Sequence, residues 1–112
     1  MIKLIPIKDD CEKVYIFIND VNIGKLNYYV TNDIVMINYL LIYEEYRKGG
    51  LGKDIVNYIM NHNKEKIIYG DALPEAVKFW KKMGAEFSDP FPSKIKPDVL
   101  LTPFKIIWIG RE

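Results

Sequence analysis

Apolar positions along the chain keep two different periods, and the change falls near residue 51. Residues 2–7 alternate apolar positions with Lys3, and Pro6 predicts an edge strand or a strand end. Asp9 and Asp10 predict a turn. Residues 14–18 are rich in β-branched and aromatic side chains and predict a strand, followed by a turn at Asn19 and Asp20. Residues 23–30 form the next arm, and Thr31, Asn32 and Asp33 turn again. Residues 34–42 are the longest strand candidate. They end in Leu40, Leu41 and Ile42, apolar on both faces, which predicts a central strand buried on both sides.

From Leu51 the spacing becomes helical. Leu51, Ile55 and Ile59 lie four apart, with Val56 and Met60 beside them. Residues 66–69 predict a short strand. Leu73, Pro74 and Glu75 open a second helix, with proline in its first turn. Ala76, Val77, Trp80 and Met83 form its buried stripe, and Gly84 ends it. Glu86 and Phe87 begin an extended piece. Residues 88–103 hold four of the six prolines, which predicts a largely irregular stretch. Residues 104–109 predict a final strand. The order β-β-β-β-α-β-α-β-β gives an α+β (α/β) fold over residues 1–112 as one domain. Its sheet is mixed and mostly antiparallel, with two main helices.

Chemistry enters where the period changes. Tyr46, Arg47, Lys48, Gly49, Gly50, Leu51, Gly52 and Lys53 sit between the longest strand and the first helix. Glycines at such a junction free the amides at the helix start to face an anion, which the helix dipole favours. The cations around the turn point to a phosphate or pyrophosphate. A Walker A loop needs glycine where Arg47 stands and a hydroxyl where Asp54 stands. The dinucleotide fingerprint needs glycine where Ile55 stands. What remains is Arg-x-x-Gly-x-Gly at Arg47, Gly50 and Gly52.

That loop resembles the acetyl-coenzyme A pyrophosphate loop of the GNAT N-acetyltransferase superfamily. Ala76 to Ala85, AVKFWKKMGA, resembles the superfamily's second hallmark, a helix of the form Ala-x-x-Phe-Tyr-x-Lys-x-Gly-Phe. One helix and one strand separate the two motifs, as in the family, and the resemblance covers residues 34–87. It implies the GNAT fold, acetyl-coenzyme A as cosubstrate and direct attack of a primary amine on the thioester. The amides of residues 48–53 would hold the pyrophosphate, with charge from Arg47 and Lys53. Leu40, Leu41 and Ile42 would splay from residues 67–69 and pair with the pantetheine, and Phe79 and Trp80 would border the cofactor. An N–H near Leu40 to Ile42 would stabilise the oxyanion.

Three departures stand out. Leu73 replaces a frequent asparagine. Trp80 replaces the tyrosine that often protonates the leaving thiolate, and indole is no useful acid near neutral pH. Only six residues separate Ile7 from Val14, too few for the helices that usually build the acceptor site. The acceptor wall is missing or comes from elsewhere, so monomer and homodimer both stay open. A lysine-like amine is neutral in only about one molecule in a few thousand at pH 7. A base is therefore needed more than an acid, and the candidates are Asp71 and, through a water, Tyr39. Asp71 also reads as a turn or helix-cap residue, and Tyr39 as a packed aromatic. The alternative function is an acetyl-coenzyme A-binding regulatory or interaction module that has lost catalysis.

Composition narrows the rest. The 112 residues are 49% hydrophobic and 28% charged, with a formal net charge of +1. That charge gives no global field for nucleic acid. No apolar run reaches the roughly 20 residues of a membrane span. The single cysteine, Cys11, excludes an internal disulfide and suits a cytoplasmic protein. With one cysteine and one histidine, no metal site is expected. Cys11 reads as a turn residue and His62 as a helix-end cation. The acceptor is expected to be a small-molecule or protein amine.

Overall fold

A computed structural model of the chain describes residues 1–8 and 10–107, without the side chains of residues 10 and 11. The strands are β1 (Ile2–Ile7), β2 (Asp10–Ile18), β3 (Val21–Val30), β4 (Ile34–Ile42), β5 (Ile67–Ala72), β6 (Glu86–Phe87), β7 (Phe91–Pro92) and β8 (Leu100–Ile107). The helices are α1 (Leu51–His62) and α2 (Val77–Lys82), each preceded by a 3-10 turn, at Glu44–Tyr46 and Pro74–Ala76. The sheet order is β1-β2-β3-β4-β5-β8-β6, with β7 paired to β8 off that path. β4 and β5 run parallel, joined through α1, and the other paired strands run antiparallel. The mixed sheet with two helices is the expected fold class.

Both helices pack on one face of the sheet. Val14, Ile16, Leu26, Val35, Ile37, Ile68 and Ile106 meet Ile55, Val56, Ile59 and Met60 of α1 in one cluster with Trp80 and Met83 of α2. Each of the large aliphatic side chains contributes about 1.5–3 kcal/mol by leaving water. Tyr15, Phe17, Tyr29, Met36 and Tyr69 alternate with these core positions and point the other way. None of them belongs to the cluster or packs against it. This corrects the reading of β4. It is central in the sheet, yet it is buried on one face only, because no described helix lies over the other. Tyr39 and Leu41 stay 42% and 37% exposed there.

Other boundaries shifted for local reasons. β5 runs on to Ala72, beyond the expected 66–69, because β8 keeps pairing with it to Thr102. The stretch 88–103 is less irregular than its prolines suggest. Phe91 and Pro92 pair with Leu101 and Leu100, and Pro103 lies inside β8 opposite Asp71. Ser88 N–H donates to the Pro103 carbonyl at 2.9 Å. The donor that proline lacks therefore faces Ser88, just past the end of β6, and the ladder between β5 and β8 loses no bond. The second helix opens as a 3-10 turn with Pro74 at its start, so α2 proper begins at Val77. Cys11 lies in β2 rather than in a turn. Asp9 and the expected strand residues Trp108 and Ile109 lie outside the described residues.

Candidate functional site

The site begins where β4 and β5 part. Their parallel pairing runs from Ile34↔Ile67 to Ile37↔Gly70 and stops. At that point Asn38 is an extra residue in β4: Asn27 faces Tyr39, but Tyr28 faces Ile37. Such a bulge bends a strand and shifts the side to which its residues point. Here it keeps both Ile37 and Leu40 on the core side, three residues apart. Asn38 Nδ2 donates to Asn27 Oδ1 at 3.2 Å across the bulge.

Backbone geometry then fixes what the gap sees. Tyr43 N–H donates to the Ile23 carbonyl of β3 at 2.9 Å. A trans peptide sets the Ile42 carbonyl opposite that N–H, so it faces the gap. Alternation gives the same direction to the Ile42 N–H and to the N–H and carbonyl of Leu40. The backbone groups of Leu41 turn towards Lys25 on β3 and are spent there. Of the three residues expected to face the pantetheine, Leu40 thus offers a free N–H and carbonyl and Ile42 a free N–H, while the Ile42 carbonyl accepts from Arg47 Nε at 2.7 Å.

The strand runs directly into the glycine loop. The 3-10 turn closes with Tyr46 N–H on the Tyr43 carbonyl at 2.8 Å and Arg47 N–H on the Glu44 carbonyl at 3.2 Å. The next backbone bond is Asp54 N–H on the Gly50 carbonyl at 3.2 Å, the first of the helix. Between them the amides of residues 48–53 have no backbone partner. Gly49 and Gly50 have φ of 110° and 77°, a region that side chains resist, and a Cβ on either would meet nothing within 4 Å. Gly52 has a different task. A Cβ there would lie 3.1 Å from the ring of Phe79, so α2 can seat its phenylalanine on the first turn of α1. Arg47, Lys48 and Lys53 are exposed around this row of donors.

A cavity of about 260 Å³ fills the fork of the two strands, lined in part by Asn38, Tyr39, Leu40, Asp71 and Trp80. Both candidate bases therefore border one space. Asp71 is exposed, and neither its carboxylate nor the Tyr39 hydroxyl bonds to any described residue. Trp80 is buried and stacks on Phe104 with centroids 4.3 Å apart. Sequence reasoning passed over Asn38, whose one signal was an amide interrupting the apolar run 34–42. His62 is elsewhere. Its Nδ1 lies 2.9 Å from the Tyr58 carbonyl, and its ring borders a separate cavity of about 300 Å³ with Leu4 and Tyr28. That cavity has neither the free strand edge nor the basic loop. Among the described residues no group of three His, Cys, Asp or Glu side chains could hold a metal ion. No described helix is long and apolar enough to cross a membrane.

No family model matches the sequence, and no curated protein matches it. Solved structures do. Ard1 from Thermoplasma volcanium superposes with a TM-score of 0.74 at 13% identity, over 88% of this chain and 72% of that one. An aminoglycoside 6'-N-acetyltransferase complexed with coenzyme A gives 0.71 at 14%, over 92% and 77%. Arabidopsis thaliana Naa50, in complex with the bisubstrate analogue CoA-Ac-MVNAL, gives 0.68 at 22%, over 85% and 72%. The chain has the GNAT acyltransferase fold. At these identities the likeness concerns the fold. Ile7 pairs with Asp10, so β1 and β2 meet as a hairpin.

Proposed function

We propose that the protein transfers an acetyl group from acetyl-coenzyme A to a primary amine. One observation carries the reading: a strand edge unpaired at Leu40 and at the Ile42 N–H is joined by a single 3-10 turn to six free amides at the start of α1. An extended amide-bearing chain ending in a pyrophosphate complements that sequence of groups. Bound polar backbone would otherwise be left without partners. The solved neighbours that contain coenzyme A or an analogue of it support the choice of donor.

In the proposed reaction the neutral amine attacks the thioester carbon. Charge builds on the carbonyl oxygen, and Leu40 N–H is the free donor on the stretch that lines the cavity. The intermediate collapses, the C–S bond breaks and the thiolate leaves. Water reprotonates it, since Trp80 supplies no acid. Asp71 takes the amine's proton, with Tyr39 acting through a water as the second candidate. The acceptor is a small molecule or a protein amine, and a second copy of the chain is one source for the absent acceptor wall.

The alternative is a module that binds acetyl-coenzyme A without turning it over. Trp80, buried where the family often places a hydroxyl, favours it. Thiol release separates the two. With acetyl-coenzyme A and a panel of amines, peptides and protein extracts, the enzyme reading expects thiol release that depends on an acceptor. Cofactor binding with no turnover on any acceptor would leave the module.

A further inference from the structure

Arg47 does something other than supply charge to a phosphate. Its Nε–H donates to the Ile42 carbonyl at 2.7 Å, reaching back across the loop to the last residue of β4. That carbonyl faces the gap between β4 and β5, where no strand can satisfy it. The backbone N–H of Arg47 is also spent, on Glu44. So neither the Nε nor the main chain of Arg47 is turned to the row of free amides. The Nε bond ties the loop to the strand edge, and the N–H bond closes the 3-10 turn between them.

We propose that Arg47 is a positioning residue. It fixes the Ile42–Tyr43 peptide plane, and with it the direction of the free Leu40 groups and the Ile42 N–H. The proposal rests on the acetyl-coenzyme A reading of the same site. It differs from the simplest version of that reading, in which the guanidinium holds the pyrophosphate. The two roles act on different parts of the donor. A phosphate contact acts only on ligands that carry phosphate. A strut under the β4 edge acts on any ligand that lies along that edge, phosphate or none. The bond is charge-assisted and short, and its loss should cost about tenfold in affinity.

The test compares two probes, acetyl-coenzyme A and S-acetylpantetheine, which carries the same thioester arm and no phosphate. Each is titrated into the ¹⁵N-labelled protein and read by amide shifts, for the wild type and for Arg47→Ala. The unfolding midpoint checks that the variant folds. If it does not, Arg47→Met keeps the stem without the donors and takes its place. The expected result is an equal loss of about tenfold for both probes. A loss confined to acetyl-coenzyme A would make Arg47 a phosphate ligand and overturn the proposal. No loss for either probe would overturn it as well. A wild type that binds neither probe would remove the donor-site reading itself, and this inference with it.

Discussion

Three glycines in the loop divide between two physical tasks, and substitutions should separate them. Gly49 and Gly50 supply positive φ over open space, whereas Gly52 supplies room for the Phe79 ring. Gly52→Val pushes a branched side chain into that ring. It should cost about 1–3 kcal/mol, read from the urea midpoint. An unchanged midpoint would mean that the ring moves aside freely. Gly50→Glu adds a like charge beside a phosphate and should abolish acetyl-coenzyme A binding while the core stays packed. Across the fork, Asp71→Asn removes the proposed base. It should lower kcat about 10²–10⁴-fold with little change in KM for acetyl-coenzyme A. A kcat within a factor of two of wild type would pass the role to Tyr39 or to solvent. The loop was legible because glycine at a strand-to-helix junction has few other uses. The Arg47 bond to Ile42 was not, since a reach of five residues around a 3-10 turn leaves no sequence pattern.

At the scale of elements, the bulge at Asn38 sets the geometry of the fork. It bends β4 where β5 leaves it and puts Leu40 on the core side. Deleting Asn38 would shift one end of β4 by a residue and turn its side chains to the wrong face. The expected cost is comparable to losing a buried aliphatic side chain, about 2–5 kcal/mol by thermal or urea unfolding. Retained stability would show that the strand simply re-registers. Helix α1 was legible from Leu51 onward, since its four buried residues repeat at helical spacing and Gly50 stands at its N-cap. The bulge was hidden, because pairing register depends on β3 as much as on β4. The strand at Pro103 was hidden too, because proline is excluded only where a ladder donor is needed. That depends on how far β6 extends.

For the whole molecule, both helices lie on one side of the sheet, and Tyr29, Tyr39 and Leu41 stand exposed on the other. The apolar run at Leu40, Leu41 and Ile42 suggested burial on both faces. Alternation cannot say whether a second layer exists to cover them. The fork opens at the edge of that layer, so donor binding should couple to global stability. Acetyl-coenzyme A at one hundred times its Kd should add about 2.7 kcal/mol to unfolding, visible as a rise in Tm. The most direct measurement is calorimetric titration of the protein with acetyl-coenzyme A, with Gly50→Glu in parallel. The wild type should show saturable binding at one site per chain, and Gly50→Glu should show none. No heat and no rise in Tm for the wild type, or equal affinity in the variant, would contradict the account.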